Sequence, residues 1–340
     1  MNKKVLSYGE LLLRICPDAD GAWLEENTLP FYVGGAEANV ATALALWGIP
    51  SAYFTAVPEN SMTRQLTAYL EQKSIDTSRI LYQGDRLGLY FLPKGKDLKN
   101  AGVIYDRAHS SFSNLQPNTI DWDKILTDIG WLHFSAISPA LNKNAATICK
   151  ELLEAAEHKH ITISVDLNYR AKLWQYGADP ADIMPGLVQH CDFVMGNLWA
   201  AEKMLGIPVD ATLTTGKKED YLEHARISSQ LIMKTFPKVR HVAKTFRFDY
   251  GATGIRYYTT LYHDKTLYHS REYVSDTILD KVGSGDCFMA GLIHGLSKGQ
   301  KAQETLEFAT AAAYQKLFIP SDATDQRAED ILKFMNAYER

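Results

Sequence analysis

The stretch 280–288, DKVGSGDCF, places two glycines between two aspartates and runs directly into the apolar segment 289–296, MAGLIHGL. Glycine weakens a helix relative to alanine, so glycines at the mouth of a helix indicate that the backbone itself must approach something closely. Successive N–H groups at a helix start converge on a negative charge, and the helix dipole adds partial positive charge there. The stretch therefore predicts an anion-binding turn that leads into a helix.

Asp286 stands directly after this turn. A carboxylate would repel an anion, so it suits a general base that takes a proton from a hydroxyl attacking a phosphoryl group. The N–H groups of the turn would then stabilise the charge that builds up on the transferred phosphate. The alternative is a plain glycine turn with Asp286 as the helix N-cap, a position that aspartate favours. Short motifs often match by chance, so the rest of the chain has to decide.

The bulk properties of the chain exclude several classes of protein. The 340 residues are 46% hydrophobic and 22% charged, an ordinary globular composition, and the net charge is −4. Without a basic patch we expect no nucleic-acid partner, and an anionic ligand must be held by a local pocket. The four cysteines form no Cys-x-x-Cys pair, no apolar run reaches membrane-helix length and no signal-peptide cleavage site follows the start. We expect a cytoplasmic protein without a membrane partner.

Strand-like and helix-like runs alternate along most of the chain. ITISVDLN (161–168) and CDFVMGN (191–197) are typical of buried strands, and NAATICKELLEAAEHKH (144–160) is typical of a helix. This spacing predicts βαβ units and a mainly parallel sheet. VLSYGELLLRI (5–15) is predicted to be one strand. RLGLYFLPKG and NAGVIYDRA, within 86–108, break the alternation and predict neighbouring antiparallel strands of a small accessory sheet.

Two segments together resemble a known family. DKVGSGDCFMAGL (280–292) resembles the D-T-x-G-A-G-D-x-F-x-x-G signature of the ribokinase-like (PfkB) sugar kinases, and GGAEANVATALALWG (34–48) resembles their N-terminal signature. Neither a P-loop motif nor an early G-x-G-x-x-G is present. The resemblance implies one ribokinase-like α/β domain over 1–340, with a doubly wound, mainly parallel sheet flanked by helices. It also implies a small β-sheet lid, with strands from about 10–33 and 86–108.

The resemblance assigns a role to the residues of both signatures. It implies that Asp286 is the catalytic base. It also implies that the two glycines that open the N-terminal signature let the backbone approach the sugar, and that Asn39 binds the sugar hydroxyls. The alternatives are an ordinary strand-to-helix turn and a polar helix residue whose hydrogen bonds are satisfied within the protein. The implied anion hole is Gly283, Ser284 and Gly285, and the implied sugar-binding glycines are Gly34 and Gly35.

The segment VIYDRAHSS (103–111) bears on the substrate. It resembles the Y-x-R-x-x-S-A lid stretch of 2-keto-3-deoxygluconate kinases, which implies that Tyr105, Arg107 and upstream Tyr90 bind substrate. A sugar acid needs a group that a neutral sugar does not, a guanidinium to hold its carboxylate. Arg107 is the candidate for this contact, and the alternative is a solvated charge on the lid.

DLNYRAKLW (166–174) resembles a D-x-N-x-R-x-x-L-W stretch that the same kinases share with fructokinases. The resemblance implies that Asn168 and Arg170 bind substrate, with Arg170 facing the transferred phosphate or the sugar. Because the stretch is common to both subgroups, it does not separate a sugar acid from fructose.

The nucleotide side departs from the family pattern. MGNLWAAEKMLG (195–206) resembles the N-x-x-E region that orders magnesium-bound water, and Asn197 matches. Ala200 stands where the family has glutamate, and whether Glu202 substitutes through water is left open. No direct metal ligand is expected.

A second departure lies further along the chain. KTFRFDYGATG (244–254) occupies the place of a lysine- and glycine-rich nucleotide loop, which implies nucleotide contacts for Lys244, Arg247 and Gly251. Lys281 replaces the family threonine in the opening signature, where it would lie near the phosphates or point to solvent.

The resemblance implies an ATP- and Mg²⁺-dependent phosphotransferase that phosphorylates 2-keto-3-deoxy-D-gluconate at O6. One alternative is a kinase for fructose or a related ketose. A second, of another class, is a non-catalytic sugar-binding or regulatory protein, which the departures on the nucleotide side would support. A nucleoside kinase is less favoured because nothing in the sequence asks for a base pocket. Exposed lid strands are edges that a partner can cover, so we expect a homo-oligomer, a dimer or higher.

Overall fold

The structure is a computed structural model that describes residues 3–17, 23, 27–93, 102–210, 213 and 216–338. Residues 18–22, 24–26 and 94–101, which belong to the predicted lid ranges, lie outside the described residues. In chain order the elements are β1 Lys4–Tyr8, β2 Leu12–Ile15, β3 Phe31–Gly34, α1 Ala36–Leu46, β4 Ser51–Phe54, β5 Ala56–Val57, α2 Ser61–Gln72, β6 Ile75–Asp76, β7 Leu81–Tyr82, β8 Gly88–Phe91, β9 Ile104–Asp106, α3 Trp122–Ile125, β10 Ile129–Ser135, α4 Lys143–His158, β11 Thr162–Asp166, α5 Pro180–Val188, β12 Phe193–Met195, α6 Leu198–Leu205, α7 Lys218–Thr235, β13 His241–Tyr250, β14 Gly254–His263, β15 Thr266–His269, β16 Tyr273–Ser275, α8 Ser284–Ser297, α9 Ala302–Lys316 and α10 Ala328–Tyr338.

The central sheet is doubly wound. Among the described residues it has ten strands, in the order β15-β14-β13-β12-β11-β10-β1-β4-β6, with β16 also paired to β14. The strands from β6 to β13 in this order pair in parallel, and β14 pairs antiparallel with β13, β15 and β16. From β1 the chain winds outward first through β4 and β6 and then the other way through β10 to β13. This confirms the predicted mainly parallel α/β sheet, and it places a topological switch point between β1 and β10.

Helices cover both faces because neighbouring residues of a strand point to opposite faces. Val5 and Phe193 pack into the same core cluster as side chains of α1, α8, α9 and α10. The next residues along, Leu6 and Val194, pack into the cluster that includes side chains of α4 to α7. Strands buried on both faces are near-continuous in apolar residues, which is why the sequence reveals them. The carboxyl ends of these strands all open toward one edge of the sheet.

A separate four-stranded sheet, in the order β3-β2-β8-β9, lies within the ranges predicted to form a lid. Segments 86–95 and 100–108 supply the antiparallel pair β8 and β9, as predicted. The single strand predicted over 5–15 is wrong, because β1 and β2 belong to different sheets. The chain changes sheet at Gly9, where a side chain would lie 2.0 Å from the carboxylate of Glu37.

The small sheet has two different faces. Paired residues of neighbouring strands share a face. One row across the sheet consists of Tyr32, Arg14, Tyr90 and Tyr105, and the adjacent row, on the opposite face, consists of Phe31, Ile15, Phe91 and Ile104. The first row faces the protein, whereas Phe31 and Ile104 at the edges of the second row are more than half exposed. We call these the inner face and the outer face of the small sheet.

Two glycines of the predicted signatures are required by their surroundings. Gly35 has φ +127°, and a Cβ there would lie 2.5 Å from the carbonyl oxygen of Glu10. Gly283 has φ +76°, and a Cβ there would lie 1.7 Å from the carbonyl oxygen of Asp322. Neither carbonyl belongs to a flexible side-chain end, so neither can move aside cheaply.

We expect Gly283→Ala to destabilise the protein by about 3 kcal/mol or more, because a left-handed backbone and a clash with backbone act together. Gly299→Ala is the matched control. Gly299 follows the other end of α8 with φ +67° and open space around its Cβ position, so only the backbone strain of about 1 kcal/mol applies. Thermal unfolding of both variants checks this, and equal small losses would contradict it.

Candidate active site

A cavity of about 760 Å³ lies between the carboxyl ends of the central strands and the inner face of the small sheet. Most of the residues that the sequence singled out meet there, although they are spread over some 250 positions of the chain. These residues are Gly35, Asn39, Tyr90, Tyr105, Arg107, Asn168, Arg170, Asn197, Arg247, Gly283, Ser284, Gly285 and Asp286. Gly34, which the sequence also singled out, does not line the cavity; a Cβ there would lie 2.5 Å from Oδ2 of Asp322.

Asp286 lies in the first turn of α8. The helix begins at Ser284 with Gly283 as its N-cap, and the first helical hydrogen bond runs from the Cys287 N–H to the Gly283 carbonyl oxygen over 2.8 Å. The N–H groups of the first turn have no partner within the helix and are available to an anion. Asp286 is therefore not the N-cap. Its Oδ2 instead accepts a hydrogen bond of 2.7 Å from the Asn39 side-chain amide.

Burial changes the acidity of this carboxyl group. Asp286 is 8% exposed, and removal from water raises its pKa to about 6, against the opposing effects of the Asn39 hydrogen bond and the Arg170 charge. A base with a pKa slightly below neutral is ionised at pH 7 and still takes up a proton readily. The environment of Asp286 is thus suited to general-base chemistry.

A second buried carboxyl group lies nearby, at the end of β11. Burial and the charge of Asp286 raise the pKa of Asp166 to about 7, and its Oδ1 accepts a hydrogen bond of 3.0 Å from the Asn168 N–H. Like charges in one low-dielectric site each disfavour ionisation of the other. A cationic ligand or side chain between them would relieve this repulsion, and Arg170 lines the same part of the cavity.

Arg107 is not a solvated lid charge. Its side chain is 6% exposed, and its Nε donates a hydrogen bond of 2.6 Å to Oε2 of Glu10, which is itself buried. The Ser110 hydroxyl donates to the other oxygen of the same carboxylate. Glu10 therefore fixes the orientation of the guanidinium at the cavity wall. Sequence reasoning missed this role, although an acidic residue between two apolar strand segments was a visible signal.

The structure brings some of the residues predicted to bind nucleotide to the cavity. Asn197 lines the cavity, and its Oδ1 accepts a hydrogen bond of 2.8 Å from the Ala200 N–H as the N-cap of α6. Ala200 also lines the cavity, whereas Glu202 does not. Helical geometry explains this, because two residues further along α6 is about 200° further around the helix. Lys203, which the sequence did not single out, is on the cavity wall.

The structure does not bring Lys244 or Gly251 to the cavity. The segment predicted as a loop forms the long strand β13 and its hairpin with β14, so pairing fixes where each side chain points. Lys244 is 1% exposed opposite Thr260, and burial lowers its pKa to about 7. Gly251 lies in the hairpin turn with φ +62°. Arg247 of the same strand does line the cavity.

The cavity is electropositive although the protein as a whole is acidic. Among the described lining residues, the cationic side chains outnumber the acidic ones by six to two. Positive side chains around a water-poor cleft concentrate and hold anions. The net charge of −4 therefore does not describe this site, which is suited to a polyanion. The cationic residues are Arg107, Arg170, Lys172, Lys203, Arg247 and Lys281, and the acidic ones are Asp166 and Asp286.

Residues 2–325 match the model of the pfkB family of carbohydrate kinases. The chain belongs to this family. It is similar to the crystal structure of 2-dehydro-3-deoxygluconokinase from Thermotoga maritima, with 32% identity, coverage of 98% of this chain and 99% of the other, and a TM-score of 0.89. A PfkB family carbohydrate kinase from Listeria grayi has 31% identity, coverage of 98% and 100%, and a TM-score of 0.87. The family assignment and the ribokinase-like fold expected from the two signatures are thereby confirmed.

A curated relative extends the similarity. The 2-dehydro-3-deoxygalactonokinase of Haloferax volcanii is 26% identical over 98% of each chain. The protein is a carbohydrate kinase, and the expectation of a non-catalytic binding protein finds no support in these comparisons. No helix in the described part of the chain is both long and apolar enough to cross a membrane.

We expect Asp286→Asn to lower kcat by about 10²–10⁴-fold, the usual contribution of a general base. In the wild type, kcat/KM should fall as the pH drops through about 6, because the base becomes protonated there. A pH–rate profile of the kinase reaction measures this. A profile that stays flat to pH 5 would count against a buried base of this pKa.

The same variant should fold more stably at pH 8. The pKa of Asp286 is higher in the folded protein than in the unfolded chain, so its ionised carboxylate destabilises the folded state. This cost is fully present above pH 6 and shrinks as the pH falls toward 3.8, because the folded protein then takes up a proton. Two pKa units correspond to about 3 kcal/mol, so we expect a gain of about 1–3 kcal/mol. Lost activity with raised thermal stability would separate a catalytic role from a folding defect.

Proposed function

We propose that this kinase transfers the γ-phosphoryl group of Mg²⁺-ATP to O6 of 2-keto-3-deoxy-D-gluconate. The observation that carries the substrate class is the buried Arg107, held at the cavity wall by Glu10. The names of the similar proteins in Thermotoga maritima and Haloferax volcanii, both kinases of keto-deoxy sugar acids, support the same class. Several further similar proteins are named 5-dehydro-2-deoxygluconokinase, which again denotes a keto-deoxy acid.

The residues around α8 would carry the transfer. The Asp286 carboxylate takes the proton of the attacking hydroxyl while the hydroxyl oxygen forms a bond to phosphorus and the bond to the leaving nucleoside diphosphate breaks. The N–H groups of Gly283, Ser284 and Gly285 hold the charge on the transferred group. Asn39 keeps the reacting carboxylate in place through its hydrogen bond of 2.7 Å.

The cationic wall fits a nucleoside triphosphate. Arg247, Lys203 and Lys281 all line the cavity. The Nζ atom of Lys281 lies 3.3 Å from Oδ1 of Asp249, so the lysine side chain is paired where it lines the cavity. When bound, Mg²⁺ would neutralise part of the phosphate charge. Asn197 would be the chain's contribution to holding that ion, through water, as the sequence pattern suggests.

Arg107 is suited to a carboxylate ligand. A guanidinium carries five N–H donors in a fixed plane, and among the described residues only the Nε–H is engaged, by Glu10. The remaining donors are at the cavity wall, where a substrate carboxylate can accept them. Fructose has no carboxylate and would leave these N–H donors without a charged acceptor on the substrate. This disfavours the ketose-kinase alternative.

Turnover with Mg²⁺-ATP should be measured on 2-keto-3-deoxygluconate, 2-keto-3-deoxygalactonate, fructose, ribose, gluconate and adenosine. We expect turnover on one or both keto-deoxy acids only. Arg107→Ala should raise KM for the acid by about 10–100-fold, the value of a charge-assisted hydrogen bond, with a smaller change in kcat.

Arg86→Ala is the matched control for Arg107→Ala. Arg86 forms an ion pair of 2.7 Å with Asp106 at the same sheet, but it does not line the cavity. This variant should keep the wild-type KM. The assignment of a sugar acid would be overturned if the wild type phosphorylated fructose and the Arg107→Ala variant had the same kinetics as the wild type.

We propose that the protein forms a dimer through the outer face of the small sheet. Phe31 and Ile104 on this face are 59% and 54% exposed, and the row between them, Ile15 and Phe91, is also apolar. Light scattering should show a dimer, and Phe31→Ser with Ile104→Ser should shift it to a monomer. A monomeric wild type would remove the proposal.

A cytoplasmic location remains a proposal. The four cysteines are buried, and no disulfide joins any two of them, which fits a reducing compartment.

A further inference from the structure

Four charged side chains lie buried beneath the anion hole and are not used by the reaction described above. Arg14, Asp280, Lys316 and Asp322 are each at most 1% exposed. They come from β2, from the loop before α8, from the last turn of α9 and from the loop that follows it. Two are cationic and two are anionic, so their formal charges balance. Buried charges are tolerated only where such pairing is complete.

Arg14 joins the two carboxylates. Its Nη2 donates a hydrogen bond of 2.5 Å to Oδ2 of Asp280, and its Nε lies 2.8 Å from Oδ1 of Asp322. The other oxygen of Asp280 accepts a hydrogen bond of 3.0 Å from the Val282 N–H, and the other oxygen of Asp322 accepts one from the Tyr90 hydroxyl. Three of the four carboxylate oxygens therefore accept a hydrogen bond, and the fourth, Oδ1 of Asp322, has the Arg14 guanidinium as its ion-pair partner. The small sheet, through Arg14 and Tyr90, contacts the same groups as the loop before α8.

Lys316 completes this arrangement from below. Its Nζ donates a hydrogen bond of 3.1 Å to the Ile319 carbonyl oxygen. Burial lowers the pKa of Lys316, and the charges of Asp280 and Asp322 oppose that effect. Its Cε lies 3.3 Å from the point that a Cβ of Gly283 would occupy. The lysine side chain therefore packs directly under the turn that forms the anion hole.

We propose that Lys316 is a positioning residue for phosphoryl transfer, a buried cation that packs beneath the turn at Gly283 and balances the charges of Asp280 and Asp322 beside it. Asp280 fixes the turn through the Val282 N–H, and Asp322 fixes it through its backbone oxygen against Gly283. Without the ammonium, two carboxylates share one guanidinium, so one must protonate or move away. Either change alters where the N–H groups of the turn point, although Lys316 itself does not reach the cavity.

The role is one of geometry, so it should appear in kcat more than in substrate binding. This inference rests on the kinase activity of the family and holds for whichever sugar the wild type phosphorylates. We expect Lys316→Met to lower kcat by about 10²-fold, comparable to the loss of one anion-hole donor, while KM for the sugar changes less than threefold. Sustained wild-type kcat in a folded Lys316→Met variant would overturn the proposal.

Lys238→Met is the matched control. Lys238, like Lys316, donates to a backbone carbonyl oxygen, that of His190 at 2.7 Å, and it also pairs with Glu157 at 3.0 Å, but it does not line the cavity. It should leave kcat unchanged. A comparable loss of kcat in both variants would show that removal of any lysine with such contacts impairs the enzyme, and would contradict a specific role of Lys316.

Chemical rescue distinguishes a missing charge from a general packing defect. Lys316→Ala leaves space for a small amine in place of the side chain. Added methylammonium or ethylammonium should restore kcat at least tenfold and saturably, and should leave the wild type and Lys238→Met unaffected. If Lys316→Met does not fold, this rescue decides alone. A folded Lys316→Ala variant that no amine reactivates would overturn the proposal, and an inactive wild type would count against the proposed substrate instead.

Discussion

The hydrogen bond between Asn39 and Asp286 joins two parts of the chain that are 247 positions apart. It ties the first helix after the N-terminal glycine pair to the first turn of α8, so the two family signatures meet at one point. Helices α1 and α8 pack on the same face of the central sheet, with Val40, Leu44 and Phe288 in one core cluster. Because both helix starts are fixed by this packing, the amide and the carboxylate meet without further adjustment. The cavity walls are arranged around this contact.

Burial of charge is the constraint that shapes the rest of the site. Asp166, Asp286 and Glu37 are all buried, and each has a raised pKa because water is excluded. A protein keeps unfavourable groups of this kind where function requires them. Elsewhere the chain neutralises buried charge by pairing, as between Glu10 and Arg107. Asp286 thus differs from Glu10 in that its hydrogen-bond partner is a neutral amide and not a guanidinium.

Much of this could be predicted from the sequence, and the reason is periodicity. Strands buried on both faces and amphipathic helices leave local patterns, so the parallel sheet and the α8 turn were visible in segments such as 161–168 and 280–288. The need for glycine at position 9, where the chain changes sheet, was not visible. It arises because the carboxylate of Glu37, which is distant in sequence, lies where a side chain would be. Lys244 was misplaced for a related reason. A family loop was expected where this chain pairs its residues with β14.

The partners of the site residues escaped prediction altogether. The roles of Arg14, Asp280 and Asp322 come from ion pairs between elements that only the fold brings together. In the sequence, Arg14 stands in an apolar strand segment, where a charge is costly unless it is paired. Such a residue indicates that an opposite charge exists somewhere in the fold, but not where.

The register of the small sheet follows from the same ion pairs. A shift of one residue in β2 would turn Arg14 to the outer face and place Leu13 or Ile15 against two buried carboxylates. Each misplaced charge would cost several kcal/mol, which is comparable to the whole stability of a domain. The inner row of Tyr32, Arg14 and Tyr90 is therefore locked by Asp280 and Asp322. The small sheet is aligned by the loops that carry Asp280 and Asp322, so the small sheet and the start of α8 are assembled as one unit.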